Sequence, residues 1–71
     1  MKTTAIEVYG LISEGCIDKI EWALKRMAGV EDVVVSLLRS RVTVSFDENR
    51  IFATHLENAI SEAGYAARRI A

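Results

Sequence analysis

Apolar residues in this chain switch from a two-residue to a helical spacing and back, and the whole switch occurs twice in the same order. From Thr4 to Tyr9, Ile6 and Val8 alternate with Ala5 and Glu7, as in a half-buried strand, and Gly10 ends the run. Leu11 to Gly15 reads as a short loop. From Cys16 onward Ile17, Ile20, Ala23, Leu24 and Met27 fall at helical spacing. Ser13 is placed to cap this helix, Glu14 suits the positive end of its dipole, Lys25 and Arg26 suit the negative end, and Gly29 stops it. Val30 opens a second strand in which Val33, Val35 and Leu37 share one face, and Arg39-Ser40-Arg41 forms a polar turn. Val42, Val44 and Phe46 then alternate with Thr43 and Ser45, as in a strand paired to the preceding one in a hairpin. Leu56, Ala59, Ile60 and Ala63 outline a second helix ended by Gly64, and Tyr65 to Ile70 reads as a short fourth strand.

The two halves echo each other. Ile6 and Val8 recur 36 positions later as Val42 and Val44, and Ile20, Ala23, Leu24 and Met27 recur as Leu56, Ala59, Ile60 and Ala63. Two strand-helix-strand units of this kind interleave into an α+β, ferredoxin-like βαββαβ arrangement, a four-stranded antiparallel sheet with both helices on one face. With 71 residues there is material for a single domain, spanning 1–71, and with 51% hydrophobic residues enough for one modest core. The absence of proline and the small number of glycines, four, argue against a disordered or collagen-like chain.

Charge and length exclude several classes of function. Nine Lys and Arg against ten Asp and Glu, a formal net charge of -1, provide no excess to drive phosphate binding, so nucleic acid is not an expected partner. No apolar run approaches the roughly 20 residues that span a bilayer, and Met1 to Thr4 leads straight into the first strand without a signal-peptide core. The expectation is a cytoplasmic domain without membrane insertion. The one cysteine, Cys16, cannot close an internal disulfide, which removes the class of stapled secreted domains.

Cys16 lies where a loop meets the first turn of a helix, and unpaired backbone N–H groups at such a position stabilise a thiolate. A nucleophilic or metal-binding sulfur fits that setting. So does a small apolar residue packed beneath the loop.

The run Gly10-Leu11-Ile12-Ser13-Glu14-Gly15-Cys16, the helix Cys16-x-x-x-Ile20-x-x-Ala23-Leu24-x-x-Met27-x-Gly29-Val30 and the later Ala59-Ile60-x-x-Ala63-Gly64-Tyr65 resemble the heavy-metal-associated domain. The likeness runs from about Thr4 to Ile70. That family includes small copper chaperones, the mercury-binding periplasmic protein and N-terminal modules of soft-metal P-type ATPases. Its loop reads Gly-Met-Thr-Cys-x-x-Cys, in which two thiolates hold one soft ion. In this chain Leu11 stands for the Met, Ile12 for the Thr and Ser13 for the first Cys, whether naturally or by replacement. The resemblance therefore implies a metal-binding and transfer domain with one thiolate ligand, Cys16. It also implies that Gly10, Leu11, Ile12, Ser13, Glu14, Gly15 and Tyr65 surround the ion. The implied cargo is Cu(I) foremost, with Zn(II), Hg(II) and Cd(II) as other soft candidates. A serine hydroxyl does not replace a thiolate for such ions. The second ligand would come from Cys16 of a second chain, in a homodimer, or from a thiol such as glutathione. A soft-metal P-type ATPase or one of its domains is the implied exchange partner.

Outside this loop, Tyr65 would shield Cys16 or donate its O–H to the sulfur, or else cover the edge of the core. Trp22 lies about 200° around the helix from Ile20 and points away from the core, which suggests a docking surface. Val34 belongs to the open sheet face and joins Trp22 or Tyr9 only if the fold brings them together. His55 reads as part of a solvated face, not a metal ligand. Arg68 and Arg69 form a basic spot that suits an edge strand, and Phe52 stands where a capping Ser or Thr would be favoured.

Among other functions on this order of elements, an RNA-recognition domain needs stacking aromatics and basic residues on its third strand, whereas Arg41 to Phe46 has one, inward-facing aromatic. An amino-acid-binding regulatory domain is echoed only faintly by Ser13-Glu14-Gly15. A cysteine hydrolase lacks a base at recognisable spacing from Cys16, so the chain is not expected to be an enzyme. The main alternative to metal transfer is an interaction or regulatory module that kept the fold and lost the two-cysteine site. A redox thiol that pairs between chains comes third.

Overall fold

A computed structural model describes residues 2–10 and 14–69. Six elements follow in the expected order: β1 (Lys2–Tyr9), α1 (Glu14–Lys25), β2 (Val30–Ser36), β3 (Arg41–Phe46), α2 (Ala53–Glu62) and β4 (Ala66–Arg69). The strands form one sheet in the order β2-β3-β1-β4 with every neighbouring pair antiparallel. This is the ferredoxin-like arrangement read from the sequence. The echo between the two halves becomes a physical contact, because Ile6 and its counterpart Val42 stand opposite each other in the β1–β3 pairing.

Both helices cover one face of the sheet. Strand alternation aims Ile6, Val8, Val42, Val44 and Phe46 at Ile20 and Leu24 of α1 and Leu56 and Ile60 of α2, and all nine side chains are buried. At about 1.5–3 kcal/mol for each buried large aliphatic side chain, this single cluster is the main favourable term of the fold. Ala59 and Ala63 share the periodicity but are only half-buried, since they face the neighbouring helix and not the sheet.

Several boundaries differ from the expectation. The helix begins at Glu14, not Cys16, and Ser13, its expected cap, lies outside the described residues. It ends at Lys25, four residues short of Gly29, because the Met27 N–H turns back to the Leu24 carbonyl at 3.0 Å and tightens the last turn. Gly29 closes the following turn at φ +99°. A Cβ there would sit 3.1 Å from Ile51 Cγ2 and 3.2 Å from Arg50 Cβ, so both conformation and space demand glycine.

Arg41 is the first residue of β3, and the turn consists of residues 37–40. Leu37 therefore belongs to the turn, where it still packs on the core, while Leu38 is 96% exposed. A register shift between Val30 and Asp32 offsets the start of β2. Tyr65 precedes β4 instead of opening it, and Ile70 lies outside the described residues.

Phe52 is indeed the N-cap residue of α2, although its side chain has no hydrogen-bonding atom. Its place is taken by His55, whose Nδ1 accepts the Phe52 backbone N–H at 3.3 Å while the two rings lie 5.6 Å apart. His55 thus does the half of a capping box normally given to Glu or Gln, a role the solvated-face reading did not include. His55→Ala should lower stability by about 0.5–1 kcal/mol, read as a lower denaturant midpoint with an unchanged slope.

Candidate metal centre

Three separate segments meet at one end of the sheet. β1 ends at Tyr9 and the chain leaves it through Gly10. α1 then begins at Glu14, which places Cys16 in the first turn, half-buried and packed against the core cluster. The Cys16 thiol approaches the Gly10 carbonyl oxygen with its Sγ at 3.9 Å, long enough to count as a weak contact.

Tyr65 arrives from the other half of the chain through the end of α2. The Gly64 N–H donates to the Ser61 carbonyl at 3.0 Å and the Tyr65 N–H to the Ile60 carbonyl at 3.3 Å, the paired bonds of a Schellman cap. That cap needs the left-handed conformation Gly64 adopts, φ +101°. It turns Tyr65 back toward the first loop, where a Cβ on Gly10 would lie 3.7 Å from the Tyr65 ring. The phenol hydrogen-bonds to Cys16. This bond, followed by desolvation and the charge on Cys16, holds the Tyr65 phenol above its ordinary value of 10.0 and keeps it a donor.

The β2–β3 turn lies at the same end, held by the Val8 N–H donating to the Ser40 carbonyl at 2.9 Å. Leu38, for which the sequence held no signal, is therefore an exposed apolar residue on the end of the molecule that carries Cys16. Its position depends on strand order alone.

Of the residues expected around the ion, Gly10 and Tyr65 stand beside Cys16, the backbone of Glu14 opens α1 and Gly15 is exposed within it. Leu11, Ile12 and Ser13 lie outside the described residues. Among the described residues no three His, Cys, Asp or Glu side chains converge, so Cys16 does not sit in a ready-made ligand set. The described part of the candidate site is thus one half-buried soft sulfur with a phenolic donor beside it.

Elsewhere, Val34 is 58% exposed on the face opposite the helices, level with Thr43 and Ala5, and is separated from both Trp22 and Tyr9. Arg68 and Arg69 are not a free basic spot. Arg69 Nε pairs with Glu57 Oε1 at 2.6 Å, and Arg68 stands opposite Glu7, which also accepts the Tyr9 O–H and faces Arg41 on its other side.

The Tyr65–Cys16 contact has a measurable signature. Because the folded phenol titrates above its unfolded value, this contact contributes stability below pH ~10 that is lost as pH rises through the raised value. In a near-ultraviolet absorbance titration, Cys16→Ala should move the Tyr65 transition back down toward 10.0 and leave that of Tyr9, held up by Glu7, in place.

Comparison with known proteins agrees with this geometry over nearly the whole chain. The pattern of the heavy-metal-associated domain matches residues 5–66. The copper chaperone CopZ of Enterococcus hirae is 40% identical over 63 residues, covering 89% of this chain and 91% of that protein. Copper-transporting ATPase 2 of Rhizobium meliloti is 33% identical over 67 residues, 94% of this chain but 8% of the ATPase. Among solved structures, a copper-binding domain from HMA7, a P-type ATPase, superimposes with a TM-score of 0.97 at 31% identity, covering 100% of this chain and 96% of that one. The chain belongs to the heavy-metal-associated domain family.

Proposed function

We propose that this chain binds a soft metal ion, Cu(I) foremost, through the Cys16 thiolate and hands it on, with the second ligand supplied by Cys16 of a second chain or by an exogenous thiol such as glutathione. The observation that carries this reading is the position of the sulfur. It is half-buried at a helix start, beside a phenol kept protonated, on the end of the molecule where the loops converge. A helix start favours a thiolate over a thiol, and thiolates select soft ions over hard ones.

A two-thiolate loop satisfies Cu(I) within one chain. With Ser13 in place of the first cysteine the ion keeps an open coordination position, which an incoming thiol fills. Exchange through a shared thiol is then built into the site rather than added to it. The acceptor is a thiol-bearing domain, such as one of a soft-metal P-type ATPase. The similarity to the copper chaperone CopZ over almost its full length supports a copper carrier. The same serine is what favours the second reading, a domain that kept the fold and lost the metal.

An anaerobic Cu(I) competition titration of the reduced protein decides between them. The metal reading expects about one copper per two chains, or about one per chain when glutathione is present, and loss of binding in Cys16→Ala. If wild type and Cys16→Ala compete equally poorly, the metal-free reading stands. Ser13→Cys, which rebuilds the family's two-thiolate spacing, should tighten binding and shift it to about one copper per chain without added thiol; an unchanged affinity would mean that the loop no longer presents position 13 to the ion.

A further inference from the structure

The two helices meet over alanines, and no large side chain fills the outer side of their contact. Ala23 on α1 and Ala59 and Ala63 on or beside α2 floor a groove of about 440 Å³ facing away from the sheet. Trp22 stands on its rim, 66% exposed, with the Arg26 guanidinium 4.8 Å from the ring centroid. The same surface thus carries a knob and a hole. Its walls differ in charge: Lys19 and Arg26 line the α1 side, Glu62 the α2 side. Neither Lys19 nor Glu62 is in an ion pair among the described residues.

We propose that this helix face is the interface with a second copy of the chain, Trp22 of each copy seated on the alanine floor of the other. A two-fold contact uses one patch on both copies, so the patch must complement itself in shape and in charge. Two directions of the axis within the contact plane are open. An axis across the helices lays α1 on α1, with Lys19 and Arg26 facing their own copies and Glu62 facing Glu62. An axis along the groove lays α1 on α2, with Lys19 and Arg26 facing the Glu62 of the second copy. Charge selects the second.

The result is a four-helix layer between two sheets. Because Cys16 lies in the first turn of α1 and Tyr65 follows α2, an axis along the helices turns both Cys16-bearing ends the same way. The contact itself needs no metal. It covers a narrow strip, so association is weak and reversible, and the indole at its centre carries most of it.

The test uses the full chain carrying Cys16→Ala, free of metal and reduced, so that neither a shared ion nor a disulfide holds two chains together. Sedimentation between ~10 µM and ~1 mM, the range suited to a small transient interface, should show the mass rising from monomer toward dimer. The emission of Trp22, the one tryptophan, should shift to the blue in parallel. Trp22→Ala, at an exposed position that leaves circular dichroism unchanged, should weaken the dimer about tenfold or more. Added salt should weaken it as well, and so should Glu62→Lys. A chain that stays monomeric throughout, or a dimer indifferent to Trp22→Ala, overturns the proposal. A dimer that tightens with salt and ignores Glu62→Lys overturns the axis along the groove. Failure of copper binding at Cys16 leaves all of these readings unaffected.

Discussion

β1 is hydrogen-bonded on both edges, to β3 with Ile6 opposite Val42 and to β4 with Val8 opposite Ala67, and this double pairing locks the two halves of the chain together. Neither half could stand alone. A strand-helix-strand unit of about 35 residues cannot bury enough apolar surface to offset the entropy of ordering it. Interleaving solves this, because one helix from each half packs over a shared sheet and Ile20, Leu24, Leu56 and Ile60 complete one cluster. The loops then follow. An antiparallel sheet in the order β2-β3-β1-β4 sends the exit of β1, the β2–β3 turn and the entry to β4 to the same end.

That end carries the candidate site. Cys16 and Tyr65 are far apart in the chain, and each is aimed by its own local device, the start of α1 and the Schellman cap of α2. Neither device senses the other. Their meeting depends on β1 and β4 being neighbours, which puts Tyr9 opposite Ala66 and so brings Gly10 and Tyr65 together. The sulfur is half-buried and packed against the core cluster.

The helix face shows how small residues create surface features without strain. Ala59 and Ala63 keep the period of the second helix, yet their short side chains leave a groove between the helices. Trp22, turned outward by helical periodicity, then has a counterpart on its own surface. The loop end that carries Cys16 and the helix face that carries Trp22 are distinct parts of the surface.

Local periodicity was enough to read the six elements, the core stripes and the outward Trp22, because these depend on residues a few positions apart, while the likeness to a metal-binding family rested on the residues of the Gly10–Cys16 loop themselves. Ends were harder. The early stop of α1 at Lys25, Arg41 as a strand residue and His55 as the partner of the Phe52 N–H depend on contacts that no propensity encodes. The identity of the sulfur and the loss of its usual partner at Ser13 were determined by sequence alone, since they are facts of covalent composition. That Tyr65 touches Cys16, that Leu38 shares their end and that three alanines open a groove beside Trp22 was decided only by the tertiary structure, because strand pairing and helix packing set distances between residues the chain itself keeps far apart.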